Sequence, residues 1–568
     1  MGVRGLCRLI RRYESQVSLR LDLSGSDTHG RRGLVFDAGS LLYYLESRLR
    51  QLNPLSLHAI TGGCLPEFAK IVRDFISSFI AADCPIWVVF DGIQSTFKHT
   101  TRILRRQSAM SRAKSVESAV SKCCLNTYSQ KSHLAEINVE RLRCTDLSEA
   151  VLMQVLRDMK IPLSVALYEA DNECVRLCNE VRALGVVGED SDYFIFDQQG
   201  GYIPLSSLIF DDDGSIYGRL YRVRAIANLL GFPASFLPVV ASLSGNDIVV
   251  ESLPEIQRLH KTLRLRSSTK GVLEQILLAA KSFHSRRPQE DAMAFLKHFI
   301  QTSISDQATA KRLYQIVEAE GVPKYETEPV TALINTTLFK LHCSGNLCCN
   351  FAVDVYMNRY ISAPFGVGYS TPEDVRFVSN ALSGIRERLC YLVMSDGLTQ
   401  WSITEAGLGI EFDDVVIAEE KDGRTSSRTG LSCNIDVIQE CHDCNISPAK
   451  REQLLQFVLF GKDEQDVWRT DSIFMNVIRY LLVTCTGVEA VAAALIKMHQ
   501  TLQSGNDKQT TSSSSRLYIH TLRLCAVFRH ALLLAEVANS LLGWPLACSK
   551  LEHCFDGAVF HQELSSFL

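Results

Sequence analysis

Seven acidic side chains, Asp37, Asp91, Glu169, Asp171, Asp190, Asp192 and Asp247, punctuate the first 250 residues in the contexts GLVFDAG, WVVFDGI, LYEADNE, VGEDSDYFIFD and LSGND. Most follow a short apolar run that reads as a buried strand. A parallel sheet aims the groups at its strand ends toward one edge, so the spacing predicts several carboxylates brought together. Gathered carboxylates repel one another and resist desolvation, and divalent cations are the common remedy. This pattern points to metal-dependent phosphodiester chemistry.

Any one of these acids is more simply read as a turn residue or a helix cap. The set argues otherwise. Asp190 and Asp192 are two apart in GEDSD, as are Glu169 and Asp171 in EAD, so each pair can present two carboxylates to a small volume. Two cations about 4 Å apart need such a shared set, one to activate water and one to stabilise the leaving oxygen. By contrast, Asp211, Asp212 and Asp213 precede Gly214 between strand-like runs and read as a solvated hairpin turn.

The order of these motifs resembles the flap endonuclease and XPG-type nucleases, whose core is a PIN-like domain. The chain opens Met1-Gly2-Val3-Arg4-Gly5-Leu6, and then Asp37, Asp91, the Glu169/Asp171 pair, the Asp190/Asp192 pair and Asp247 fill the family's acidic positions. Within that superfamily the EAD, the EDSD loop running into YFIFD, and LSGND are most similar to the asteroid homologue branch. The resemblance implies two Mg²⁺ or Mn²⁺ ions. Asp37, Asp91, Glu169 and Asp171 would hold one, and Asp190, Asp192 and Asp247 the other. It also implies that Gly2 lies near nucleic acid. Two departures stand out. Asp171 occupies a position that is normally Glu in flap endonucleases, and IVVESLPEIQRLHKTLR follows Asp247 where those enzymes have a Gly-Ile-Gly-rich duplex clamp. Without closely approaching glycine amides, less reliance on a long duplex arm is expected.

The net charge of −4 provides no global attraction for nucleic acid, so binding must come from a local patch. Lys98, Arg102, Arg105, Arg106, Arg112, Lys114 and Lys122 crowd one segment in which Glu117 is the only acid. The first four fall on one face of a helix. A solvated surface helix is the ordinary reading of a charge run. Related nucleases carry a helical arch here, and by offset from Asp91 the resemblance gives Lys98 and Arg105 the role of stabilising charge on the scissile phosphate. Arg102, Arg106, Arg112 and Lys114 are expected to contact phosphates. Ala109 stands at the next family position.

The organisation predicted is an α/β core, a PIN-like doubly wound and mainly parallel sheet over residues 1–250 with an arch-like basic segment at 98–145, followed by a mostly α-helical region at 251–568. The strand-like runs are LVFDA, PIWVVFD, LSVALYEA, ALGVVGED and YFIFD. GVLEQILLAAKSF, EDAMAFLKHFIQ and AKRLYQIVEAEG carry helical periodicity, with Gly321 as a stop signal. Thr371 and Pro372 read as a helix cap and first turn. Residues 504–515 read as a flexible loop.

Of the 568 residues, 46% are hydrophobic and 21% charged, enough apolar material for two or more folded domains. Leu6 at the sixth position breaks a myristoylation pattern, and Arg4, Arg8, Arg11 and Arg12 interrupt any signal-peptide core. ALLLAEVANSLLGWPLAC contains Glu536, Asn539 and Pro545, so it reads as a buried helix and no membrane span is expected. With nineteen cysteines and no secretory signal, reduced thiols are expected. Cys441 and Cys444 form a CxxC, and Cys343, Cys348 and Cys349 cluster near His342, but the two groups are too far apart for finger spacing, which argues against zinc.

The function expected is a structure-selective, metal-dependent DNA endonuclease favouring single strands and single-stranded overhangs, in repair or end processing, in the nucleus or nucleocytoplasm. Repair proteins are candidate partners. Two other readings stay open: a catalytically silent PIN-like scaffold or RNA-binding coregulator with a signalling role, and an RNA nuclease, because a metal site alone does not read the sugar.

Overall fold

The computed structural model describes the chain apart from residues 1–4, 25–31, 53–62, 94–98, 126–146, 197, 246–252, 267–270, 305, 319–335, 348, 359, 363–370, 394–399, 404–408, 414–434, 461–471, 486–487, 505–521, 548 and 568. Two compact units emerge. The first comprises Met1–Leu41, Phe75–Arg102 and Tyr168–Pro329, and the second Leu42–Asp74, Ile103–Leu167 and Val330–Leu568.

The first unit is built on a mixed sheet. Strands β1 (Ser18–Asp22), β2 (Leu34–Asp37) and β3 (Ile86–Phe90) are followed by β4 (Leu163–Val165), which lies in the second unit. Then come β5 (Gly185–Gly188), β6 (Tyr202–Pro204), β7 (Ile209–Phe210) and β8 (Ile216–Tyr221). Within the first unit the order is β1-β8-β6-β5-β2-β3, with β7 on β8. β3, β2, β5 and β6 pair in parallel, while β8 runs antiparallel to β1, β6 and β7.

Sequence explains this order. LVFD and GVVG are buried along their whole length, as interior parallel strands require. At Gly185 a side chain would collide with the Gly201 carbonyl, so glycine lets β5 and β6 approach. Phe36 on β2 meets Phe79 edge-on at 5.3 Å, and Phe79 in turn contacts Phe75 at 5.1 Å and Phe210 at 5.8 Å. Each such ring buried contributes about 1.5–3 kcal/mol. The Asp211–Gly214 hairpin forms as predicted: the Asp211 N–H donates to Ser215 O at 3.0 Å, and Gly214 takes a φ of 85°.

YFIFD departs from expectation. Tyr193–Phe196 forms no strand; Ser191–Phe194 is a 3₁₀ turn capped by the Asp190 carboxylate, which accepts the Asp192 N–H at 3.2 Å. Its aromatics point into the core instead of alternating. Tyr193 stacks on Tyr202 at 5.3 Å, and Phe194 meets Tyr202 at 4.8 Å and Tyr221 at 5.2 Å. The antiparallel strand β1 was also not apparent in the sequence, and Leu19 on this edge strand is 56% exposed.

The expected helices are Val272–Arg286, Ala292–Ser303 and Gln307–Ile316, joined in the first unit by Pro254–Arg266. Gly321 lies outside the described residues. In the second unit Thr371 caps Pro372–Ala381 by accepting the Asp374 N–H at 3.2 Å, with Pro372 in the first turn. This unit is mostly helical but also holds an antiparallel sheet, β10-β11-β9, from Tyr360–Ser362 (β9), Gln400–Ile403 (β10) and Gly409–Asp413 (β11), which the helical reading missed.

Leu522–Leu541 is long and apolar enough to cross a membrane, yet 83% of its apolar window is buried inside the protein. Its polar residues are built in. Glu536 accepts the Ser549 N–H at 2.8 Å, and Asn539 bonds both the carbonyl and the N–H of Leu546. The loop expected at 504–515 falls, beyond Ser504, outside the described residues.

Candidate metal and nuclease site

Asp37 ends β2 and is 93% buried, its relative exposure being 7%. The helix Ala38–Leu52 starts at once, and its first amides face the carboxylate. Oδ1 accepts the N–H groups of Gly39 at 2.9 Å and Ser40 at 3.4 Å, while Oδ2 accepts the Ser40 hydroxyl at 2.5 Å. Burial pushes the Asp37 carboxyl above the ordinary carboxylate range; the Ser40 and Gly39 bonds pull it back, and the charge of Asp190 adds to the rise. The group is therefore costly to ionise without a compensating positive charge.

Asp91 leaves β3 beside it. Its Oδ1 accepts the Ala170 N–H at 2.9 Å, and the Gly92 N–H donates to the Tyr168 carbonyl at 2.6 Å. These bonds tie the exit of β3 to the start of the helix Ala170–Glu180, which has Glu169 as its N-cap residue and Asp171 in its first turn. Acids at a helix N-terminus are favoured by the exposed amides there. A Cβ on Gly39 would lie 3.3 Å from Asp37 Oδ1 and 3.8 Å from Asp91 Oδ2, so glycine leaves open a space flanked by both carboxylates.

Beyond β5, the 3₁₀ turn carries Asp190 and Asp192, anchored from below by Tyr193 and Phe194. One oxygen each from Asp171, Asp190 and Asp192 lies within 4.8 Å of the other two, and among the described residues this is the group placed to hold a metal ion. The donors are all oxygens, which suits hard divalent cations. Cys174 lies under the cluster; burial, then the charge of Asp37, holds its thiol far above the ordinary range, so it stays protonated and inert.

Six of the seven predicted acids, Asp37, Asp91, Glu169, Asp171, Asp190 and Asp192, belong to the first unit, and the contacts above join them. Asp247, Lys98 and Gly2 lie outside the described residues. The basic segment does form one helix, His99–Leu125. On it Arg105, Arg106 and Arg112 are half-buried, Lys114 is exposed, and Arg112 donates to Ser108 Oγ at 2.7 Å. Arg102 belongs to the same helix. Sequence reading missed Ser40 and Glu189, whose roles depend on partners far away in the chain.

No protein-family profile matches the chain. Among curated proteins it is similar to the single-strand DNA endonuclease ASTE1 of Danio rerio, 28% identical over 272 residues that span 46% of this chain and 34% of that protein. The Homo sapiens ASTE1 is 27% identical over 312 residues, 52% of this chain and 41% of the relative. A Homo sapiens constitutive coactivator of peroxisome proliferator-activated receptor gamma is 29% identical over 230 residues, 40% of this chain and 24% of the coactivator. The chain thus spans well under half the length of these relatives. The asteroid resemblance carried by EAD, EDSD and LSGND is the one these curated sequences return. Among solved structures, human GEN1 in complex with Holliday junction DNA is 15% identical with a TM-score of 0.33, covering 74% of this chain and 90% of that one. The catalytic core of Rad2 with a DNA substrate is 14% identical with a TM-score of 0.29, covering 56% and 98%.

Proposed function

We propose that this chain, similar over about half its length to the asteroid-type single-strand DNA endonucleases, is a structure-selective, metal-dependent DNA endonuclease that favours single strands and single-stranded overhangs. The convergence of Asp171, Asp190 and Asp192 carries the reading, because three carboxylate oxygens within 4.8 Å of one another form a donor set that a hard divalent cation would fit.

Asp37, Asp91, Glu169 and Asp171 would hold one Mg²⁺ or Mn²⁺, and Asp190, Asp192 and Asp247 the second. When bound, such a pair supplies an activated water and stabilises the leaving oxygen of a phosphodiester. The chain supplies the arrangement. The amides of Gly39, Ser40 and Ala170 fix the rotamers of Asp37 and Asp91, and the buried rings of Tyr193 and Phe194 hold the Asp190–Asp192 turn. Lys98 and Arg105 would stabilise charge on the scissile phosphate, and Gly2, Arg102, Arg106, Arg112 and Lys114 would track the strand electrostatically. A role in DNA repair or end processing, in the nucleus or nucleocytoplasm and with repair-factor partners, belongs to the same proposal.

The similarity to a constitutive coactivator of peroxisome proliferator-activated receptor gamma supports a second reading, a catalytically silent PIN-like scaffold or RNA-binding coregulator. An RNA nuclease is the third. Labelled single strands of DNA and RNA, 3′ and 5′ overhangs, flaps and blunt duplexes at one salt concentration separate the three. The proposal expects single-stranded DNA and overhangs to be cut and blunt duplex spared. Cleavage of RNA alone, of flaps alone, or of nothing contradicts it.

A further inference from the structure

A serine in the first turn of a helix ordinarily bonds its own helix's amides. Ser40 does something else. Its hydroxyl donates to Asp37 Oδ2 at 2.5 Å and accepts the backbone N–H of Glu189, 149 residues away, at 3.0 Å. The parallel ladder between β2 and β5 ends at the pair Phe36↔Val187. Just beyond it the chain diverges on both sides, to Asp37 on one and to Glu189, Asp190 and Asp192 on the other. The hydroxyl continues the ladder where the backbone cannot.

We infer that Ser40 is a positioning residue for the acidic site, a single hydroxyl that locks the Asp37 carboxylate to the segment carrying Asp190 and Asp192, and so sets the spacing between the two groups of metal-holding acids. The inference rests on the nuclease reading above. The chemistry is restrictive, because the bridge needs one group that donates to a carboxylate and accepts from an amide together. Alanine does neither, a thiol does both weakly, and threonine does both. Glu189 anchors the far side, since its carboxylate accepts the Ser206 N–H and its own N–H is committed to Ser40. Outer-shell hydrogen bonds of this type typically change metal affinity by about 10–100-fold when removed.

The test is Mn²⁺ binding by the full chain, read as loss of the free Mn²⁺ paramagnetic resonance signal, with thermal melting alongside. Ser40→Ala should weaken binding about tenfold with little change in melting temperature, and Ser40→Thr should restore it. Asp37→Asn and the Asp37→Asn/Ser40→Ala double variant complete a cycle: if Ser40 acts through Asp37, the two losses are less than additive. Additive losses, a threonine variant as weak as alanine, or an alanine variant that binds like the native chain would each overturn the positioning role while leaving the site intact. Failure of the native chain to bind Mn²⁺ would instead overturn the nuclease reading beneath it.

Discussion

The Asp91 carboxylate accepts the backbone N–H of Ala170 at 2.9 Å through Oδ1, while its Oδ2 faces the space over Gly39. One oxygen thus serves the fold and the other the site. Asp91→Asn keeps an acceptor for Ala170 but loses the charge, so its melting temperature should match the native chain while metal binding and cleavage fall. Asp91→Ala should lose both, at a cost of about 1–2 kcal/mol in unfolding free energy for the missing cap-like bond. Equal activity of native and Asn variants would show that Asp91 serves the fold alone.

Gly39 is kept small by two acidic neighbours, Asp37 and Asp91. Its backbone dihedrals are open to any residue and it lies in the helix Ala38–Leu52, where alanine is the better helix former by up to about 1 kcal/mol. The added methyl would occupy the space between Asp37 and Asp91. That methyl would sit 3.3 Å from an Asp37 oxygen whose carboxylate three hydrogen bonds hold in place, so crowding offsets the helix gain: Gly39→Ala should melt no higher than the native chain and bind Mn²⁺ about tenfold more weakly. Unchanged Mn²⁺ affinity would mean that this space is not where a cation sits.

Much of the site was legible in the sequence because strand ends carry a local signal. LVFD and WVVFD are apolar runs closed by an acid, and the structure places Asp37 at the end of β2 and Asp91 just past β3. LSVALYEA was legible only in part: the strand stops at Val165, and Glu169 is the N-cap residue of the helix Ala170–Glu180, at the end that acids favour. YFIFD failed because an apolar run without clear periodicity does not distinguish a strand from a packed turn. What decided it was tertiary: Phe194 had rings of Tyr202 and Tyr221 to meet, and Asp190 had the Asp192 amide to cap. Ser40 was invisible for the same reason, since nothing near it in sequence announces Glu189. The short sheet of β9, β10 and β11 lies among helix-rich segments whose periodicity masked it.

The proposed function gives the basic residues two different roles. Replacing Lys98 and Arg105 together by Ala should reduce turnover at saturating DNA more than affinity, because their proposed work is done on charge that develops in the transition state. Arg112→Ala and Lys114→Ala should instead weaken binding and flatten its salt dependence. Single-turnover rates at saturation decide it: a double variant with native turnover and lower affinity would make Lys98 and Arg105 ordinary phosphate contacts.

His342 supplies a pH dependence away from the site. Its Nε2 meets the Ala166 carbonyl at 3.1 Å, and burial lowers its pKa from 6.5 to about 4. The unfolded chain therefore takes up this proton first as pH falls. Stability is fully present above pH 6.5, is lost progressively down to about pH 4, and levels off below, a total of about 3 kcal/mol from this group. His342→Gln keeps a donor for Ala166 without titrating. Urea unfolding of the variant should show a shallower decline across that window than the native chain, and parallel curves would contradict the assignment.

If the clustered acids hold cations for DNA cleavage, loss of Asp192 abolishes that cleavage. The Asp192 oxygen lies within 4.8 Å of those of Asp171 and Asp190, so Asp192→Ala vacates a ligand position and relieves repulsion in the metal-free protein. Cleavage of an end-labelled single-stranded DNA by purified native and variant chains, each with Mg²⁺, Mn²⁺ or EDTA, is the measurement. The native chain should cleave only with metal, the variant should show none above background, and the variant should melt at or slightly above the native temperature. Undiminished cleavage by Asp192→Ala, or native cleavage that survives EDTA, would contradict the cation-holding role of the clustered acids.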